Sequence, residues 1–255
     1  MPNRINNIKL IRNKLRNNKV TIGTWMQIPS SSVAEILSHA NYDWIAIDLE
    51  HGSINTSQLP DIFRALELNN TLPLVRIADP KPKDCKLSLD AGAGGVIIPM
   101  VEDPILLEEL INSCCWPPVG KRGVGFSRAN IYGKYFEDYK QEAYNPLIVA
   151  MIESVNAILN LEKIVKVSGL DAILIGPYDL SASLGITGDF NNPLFIETLN
   201  KIKRICTKNN MPFGVHIVNP NKSELLLKIE EGYQFIPYSI DTVFLNSSSI
   251  NPISQ

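Results

Sequence analysis

Apolar residues along this chain fall into two alternating patterns. Short unbroken runs occupy Val20–Met26, Trp44–Asp48, Leu72–Arg76, Gly95–Pro99, Leu147–Ile152, Asp171–Ile175, Pro212–His216 and Gln234–Tyr238. Their length and continuity predict strands buried on both faces. Between them, apolar positions recur every three or four residues. Ser32 with Glu35 three residues later forms a capping-box pattern that predicts a helix with Val33, Ile36 and Leu37 on its apolar face. Further helices are predicted from Leu59 to Leu68 and from Pro82 to Asp90. Asp103-Pro104 opens one to Cys114, Ser154 caps one bearing Ile158, Leu161, Ile164 and Val165, and Asn192-Pro193 opens one to Lys208. Ser223 to Glu231 is the last clear one.

The ends of the chain add three expectations. Ile5, Ile8, Ile11 and Leu15 recur at helical spacing within a basic stretch, residues 1–19, which predicts a helix covering the bottom of a barrel. Asp241 to Leu245 has room for barely one helical turn, and Asn246 to Gln255, with three serines and a proline, reads as a flexible tail. The stretch Trp116–Asn145, with a helix around Gly133 to Glu142, is long for a connection inside a compact domain, and such connections are usually functional.

Eight strands alternating with helices imply parallel pairing through right-handed crossovers. The expected fold is α/β, a single (β/α)₈ TIM barrel over residues 1–255, with an N-terminal capping helix and a shortened C-terminal helix. The 255 residues match the usual length of such a barrel, and no linker divides them.

Composition narrows the partners. A net charge of −2 gives no reason to expect nucleic acid, and no apolar run is long enough to span a bilayer. Cys85, Cys114, Cys115 and Cys206 lack the spacing of a zinc site or a disulfide framework, so they read as small buried residues in a reducing cytoplasm.

Candidate chemistry lies where the strands end, since barrel sites are built at that face. Trp25 and Gln27 end the first strand, Asp48, Glu50 and His51 the second, Arg76 the third, Glu153 the fifth and His216 the seventh; Asp179 follows the sixth. Glu153 and Asp179, on adjacent strands, suit a hard divalent cation, Mg²⁺ or Mn²⁺; each could equally be a helix-start acid. Arg76 requires an anion, either Asp48 or Glu50, or a ligand carboxylate or enolate. His51, beside the acids, is a candidate general base, or a structural histidine. His39 falls inside a predicted helix, and His216 is ambiguous. No lysine ends the fifth, sixth or seventh strand, which argues against Schiff-base chemistry.

Ile47-Asp48-Leu49-Glu50-His51-Gly52, Val75-Arg76, Pro117-Pro118-Val119-Gly120-Lys121-Arg122-Gly123, Met151-Ile152-Glu153-Ser154 and Gly176-Pro177-Tyr178-Asp179-Leu180-Ser181-Ala182-Ser183-Leu184-Gly185 occur in the order of the HpcH/HpaI family. The chain resembles these class II, metal-dependent pyruvate aldolases from about Leu10 to Leu245. The resemblance implies reversible cleavage of a 4-hydroxy-2-oxoacid to pyruvate and an aldehyde through a pyruvate enolate. It implies a divalent metal (Mg²⁺ or Mn²⁺, with Co²⁺ as a substitute) held by Glu153 and Asp179. Arg76 would stabilise the enolate oxygen, His51 would move the proton, and Asp90 would support the histidine. Trp25, Arg122, Gly176, Pro177 and Tyr178 would contact substrate, the amides at Tyr178 and Asp179 taking its carboxylate. It also implies a homo-oligomer. Competing readings are a related lyase acting on another oxoacid or an acyl thioester, and a barrel that binds metal and pyruvate without turnover. The chain departs from the family at Met151, where glutamine is common, at Ser239, where glycine is common, and in its short C-terminus.

Overall fold

The computed structural model describes residues 4–251 and 253. Eight parallel strands form one sheet in the order β7-β6-β5-β4-β3-β2-β1-β8. They are β1 (Thr21–Met26), β2 (Trp44–Asp48), β3 (Leu72–Arg76), β4 (Gly95–Ile98), β5 (Leu147–Ile152), β6 (Ala172–Ile175), β7 (Phe213–Val215) and β8 (Phe235–Ile240). The β7–β8 seam is closed by a parallel bridge between Ile217 and Tyr238 and by Gln234 N donating to Phe213 O at 2.8 Å. The fold is thus a nearly closed α/β barrel of the TIM type.

The helices are α1 (Arg4–Arg16), α2 (Ser31–Ser38), α3 (Leu59–Glu67), α4 (Pro82–Ala91), α5 (Pro104–Cys114), α6 (Phe136–Tyr144), α7 (Val155–Ile164), α8 (Pro177–Ser183), α9 (Pro193–Lys208), α10 (Lys222–Glu230) and α11 (Asp241–Ser248). None is long and apolar enough to cross a membrane. The alternation of side chains along each strand sorts the core into two shells. Outward residues such as Ile45, Ile47, Val75, Val96 and Ile98 join the helices in the larger cluster. Inward residues, among them Trp25, Trp44, Ala46, Leu72, Leu74, Val149, Met151 and Phe235, fill the barrel in a second cluster with Ile8, Ile11 and Leu15 of α1. The basic N-terminal helix therefore plugs the bottom, as its periodicity predicts. Arg4 fixes it there, its Nε 2.8 Å from Glu142 and its Nη1 2.7 Å from Glu67.

Some boundaries differ from expectation for local reasons. The cap of α2 is Ser30, not Ser32: its backbone is extended and its hydroxyl accepts from Val33 N at 3.4 Å, so Ser32 falls inside the first turn. The long stretch after α5 holds a single 3₁₀ turn, Arg128–Asn130, and α6 begins only at Phe136 because Gly133 takes a left-handed φ of 96°. The last helix is longer than one turn. Ser247 and Ser249 donate to Phe244 O and Leu245 O, at 3.0 and 2.6 Å, which satisfies carbonyls one turn back and carries α11 through Ser248. Part of the expected tail is therefore helical, while residues 252, 254 and 255 lie outside the described residues. All four cysteines are free and buried.

The bottom layer is tightly constrained at Gly23. A Cβ there would stand 2.2 Å from the Trp44 ring, and that ring cannot retreat because it stacks on Phe235 at 4.2 Å and 3°. Gly23→Ala should lower unfolding stability by about 2–3 kcal/mol. Gly125→Ala, with open space around its Cβ, should stay within about 0.5 kcal/mol. Urea denaturation of the two variants checks the difference.

Candidate active site

Because inward positions alternate, the top layer of the barrel is built from residues two steps above the apolar ones. Above Ala46 comes Asp48, above Leu74 comes Arg76, and above Met151 comes Glu153. Asp48 and Arg76 are direct partners in the β2–β3 register. That pairing sets a two-pronged contact: Arg76 Nε donates to Asp48 Oδ1 at 2.8 Å and Nη2 to Oδ2 at 2.6 Å.

The Asp48 carboxylate takes three further donors. Gln27 Nε2 reaches Oδ2 at 2.8 Å, and the amides of Glu50 and His51 reach Oδ1 at 3.0 and 3.2 Å. Burial disfavours this carboxylate, but the hydrogen bonds and charge of Arg76, helped by Gln27 and the His51 amide, outweigh it and hold its pKa below the ordinary value. Asp48 thereby ties down both the guanidinium and the turn that carries His51, whose side chain is exposed at the rim. The indole of Trp25 lies under the guanidinium, 4.4 Å from ring centroid to Cζ. Arg76 Nη1 also forms an ion pair with Glu50 Oε2 at 3.0 Å, although that buried oxygen accepts no aligned hydrogen bond.

Across the mouth, Glu153 is 2 % exposed. Its Oε2 accepts from Met100 N at 2.8 Å, an amide aimed inward by the left-handed backbone of Met100 (φ 49°). Gly176 passes so close that a Cβ would stand 2.4 Å from Glu153 Oε1. Burial raises the Glu153 pKa to about 7; the Met100 amide opposes the shift, and the charges of Glu50 and Asp179 add to it. Glu50 is raised too, by burial first, with Arg76 and His51 offsetting it and Asp48 and Asp179 reinforcing it. Asp179 is exposed in the first turn of α8. Three carboxylates therefore act on one another at a site where Arg76 is the nearby fixed cation, and it is already paired with Asp48. An all-oxygen donor set with surplus negative charge suits a hard divalent cation. Among the described residues no group of three or more His, Cys, Asp or Glu side chains is arranged to hold a metal ion.

His216, ambiguous by sequence, points into the barrel beside Trp25, with ring centroids 5.5 Å apart. Burial pushes its pKa down to about 3, the Ser239 carbonyl opposing and Arg76 adding to the shift, so it is neutral. His39 ends α2 on the outer layer.

Two expected site residues are not brought to this mouth by their own barrel. Helix α4 runs antiparallel to the strands, so its last turn returns the chain to the bottom. There Asp90 lies 3.8 Å from Arg122 Nη1, and Gly92 packs beside Arg128 and Arg4 of the plug. Arg122 donates to the Tyr139 hydroxyl at 3.0 Å among buried aromatics. Within one chain, Asp90 and Arg122 therefore lie together, with Arg122 packed among Trp116 and Tyr139 and not beside the Asp48–Arg76 pair. Conversely, Gln27 and the Met100 amide hold site carboxylates although sequence reasoning gave neither a role. Gln27 carried a signal, as a polar residue at a strand end. Met100 carried none, because a backbone amide has no side-chain signature. A separate groove of about 740 Å³ between α9 and α10 is bordered on the side of the mouth by residues that include Pro177, Tyr178 and His216.

The fold and this acid-rich centre define a class, the α/β-barrel enzymes with their chemistry at the carboxyl ends of the strands. The model of the HpcH/HpaI aldolase/citrate lyase family matches residues 21–247. The chain is 32% identical over 249 residues to the hydroxypyruvate/pyruvate aldolase of Roseobacter denitrificans (strain ATCC 33942 / OCh 114), covering 96% of this chain and 94% of that protein. It is 32% identical over 237 residues to the 2-dehydro-3,6-dideoxy-6-sulfogluconate aldolase of Pseudomonas putida, covering 92% of each. A solved HpcH/HpaI aldolase/citrate lyase family protein from Burkholderia cenocepacia J2315 superimposes with a TM-score of 0.88 at 29% identity, over 94% of this chain and 96% of that one. The chain belongs to the HpcH/HpaI aldolase/citrate lyase family and is an enzyme of the aldolase type.

The raised Glu153 carboxyl predicts a pH-dependent cost. In the folded, metal-free protein it holds its proton up to about pH 7, whereas the unfolded chain releases it near the ordinary glutamate value of 4.5. Folding therefore weakens as pH rises through that window. Glu153→Gln should unfold with the same stability as wild type near pH 4. Above pH 7 it should be more stable, by up to about 3 kcal/mol. Urea titrations across that range, in the presence of a chelator, read the difference.

Proposed function

We propose that this protein is a divalent-metal-dependent pyruvate aldolase, which reversibly cleaves a 4-hydroxy-2-oxoacid to pyruvate and an aldehyde. The observation that carries this reading is the mouth itself: surplus carboxylates around Glu153 facing an arginine fixed two-pronged on Asp48. Glu153 and Asp179 would hold the cation, which when bound supplies a Lewis acid for the 2-keto oxygen. Mg²⁺ and Mn²⁺ fit the oxygen donors, and Co²⁺ would substitute.

Arg76 has five N–H groups, of which Asp48 engages two. The donors not engaged by Asp48, with Nη1 also held 3.0 Å from Glu50 Oε2, stabilise the C2 oxygen as its negative charge develops. In the cleavage direction, the C4 hydroxyl gives up its proton, the C3–C4 bond breaks, and its electron pair moves into the C2–C3 bond of the enolate. His51, exposed at the rim, takes that proton, and protonation of C3 then yields pyruvate. Pro177 opens α8, leaving the amides of Tyr178 and Asp179 without intrahelical acceptors and available for the substrate carboxylate. Trp25 forms the floor under Arg76. The same reading takes the protein to be a cytoplasmic homo-oligomer. Support for assembly is the apolar surface around the loop that carries Arg122, where Val119, Val124, Phe126 and Tyr132 are exposed.

Removing divalent cations should abolish aldol cleavage, and Mg²⁺ or Mn²⁺ should restore it; full activity after chelation, or a pyruvate adduct trapped by borohydride, would contradict the reading. Arg76→Lys should lower kcat for cleavage by roughly 30- to 100-fold, because a mobile ammonium cannot reproduce the fixed fork. Steady-state kinetics with pyruvate as the counted product checks this value.

A further inference from the structure

The last element of the chain reaches the site through side chains that have no place in the chemistry above. The Asp241 carboxylate, buried at the end of β8, accepts from Gln27 N and Ile28 N at 2.9 Å each and from Thr242 N at 2.7 Å. It thereby binds the turn after β1 to the first residues of α11. Beside it, Thr242 Oγ1 donates to Gln27 Oε1 at 3.2 Å, and Gln27 Nε2 donates to Asp48 Oδ2 at 2.8 Å. The direction of this series is fixed by chemistry. An ionised carboxylate only accepts, so Gln27 must turn its amino group to Asp48 and its oxygen away. That oxygen then needs a donor, which Thr242 supplies. Asp48 Oδ2 is also the oxygen that takes the 2.6 Å contact from Arg76 Nη2.

We propose that Thr242 and Gln27 are positioning residues for Arg76, a relay through which the C-terminal element sets the guanidinium against substrate. If the Thr242 hydroxyl is absent, the Gln27 oxygen has no donor, the amide loses its orientation, and Asp48 is left with Arg76 and two backbone amides. Arg76 then shifts its weight from Asp48 toward Glu50, whose Oε2 already forms an ion pair with its Nη1 at 3.0 Å. The relay rests on the aldolase reading for its kinetic consequence, but not for its physical one.

The experiment compares Thr242→Val, which keeps shape and loses the donor, with Thr242→Ser, which restores it. Two quantities are read: the rate of methyl-proton exchange of pyruvate with Mn²⁺, and the solvent exchange rate of the Arg76 Nε–H followed by ¹⁵N NMR. Thr242→Val should lower kcat for exchange by roughly threefold to tenfold, the range set by one hydrogen bond, with KM for pyruvate little changed. It should also speed Arg76 Nε–H exchange, and Thr242→Ser should return both to wild type. A Thr242→Val protein that melts earlier but matches wild type in both readouts overturns the relay and leaves Thr242 a structural residue. Should the wild-type protein fail to exchange pyruvate protons at all, the aldolase reading falls alone, and the Arg76 Nε–H rates still decide the relay.

Discussion

The arginine side of this barrel mouth depends on one buried carboxylate, Asp48. It accepts five hydrogen bonds: two from Arg76, one from Gln27 and two from the amides of the turn that bears His51. A carboxylate buried this deeply is tolerable only because its partners are charged and well aligned. Removing it would strand a buried guanidinium, which is the more costly half of breaking such a pair. The reason it forms lies in strand register. Asp48 and Arg76 are level on adjacent parallel strands and both face inward, so the backbone delivers the fork to its partner.

The same inward alternation produces the chemical asymmetry of the site. On one side Arg76 is neutralised by Asp48 and rests on Trp25. On the other, Glu153 sits almost without solvent, held through a single backbone amide, with Gly176 pressed against it. Burial first, and then the charges of Glu50 and Asp179, raise its pKa to about 7. Below both lies an apolar layer of Ala46, Leu74, Val149 and Met151, packed from beneath by α1. The apolar interior makes the top-layer charges strong, and the plug keeps the interior apolar. Function and fold are thus linked through water exclusion.

Much of this was legible in the sequence because the relevant signals are local. The change from Ala46-Ile47 to Asp48, Glu50 and His51 marks a strand emerging at a site, and Glu153 and Asp179 follow strands in the same way. Register explains why Asp48 takes the two-pronged contact of Arg76 while Glu50 adds a second ion pair at 3.0 Å, a division that residue types alone did not reveal. Other features were hidden for identifiable reasons. Ser30, Ser31 and Ser32 are chemically alike, and only backbone geometry chose Ser30 as the cap. Asp90 carried an implied role at the mouth, yet an antiparallel helix returns it to the bottom beside Arg122. The Gln27–Thr242 contact joins residues that only barrel closure brings together, at the β1–β8 pairing. The final helix outran its propensity because two serines bonded back to its carbonyls.

The central claim is that Asp48 acts by holding Arg76, not by touching substrate or cation. Its most direct test is deuterium incorporation into the methyl group of pyruvate by Asp48→Asn, with Mn²⁺ affinity measured on the same protein. An asparagine keeps the shape but offers one acceptor oxygen where two are used, so the fork is broken. The account predicts a loss of roughly 100-fold in the rate of incorporation with Mn²⁺ affinity largely kept. Incorporation near the wild-type rate, or loss of Mn²⁺ binding in place of turnover, would contradict it.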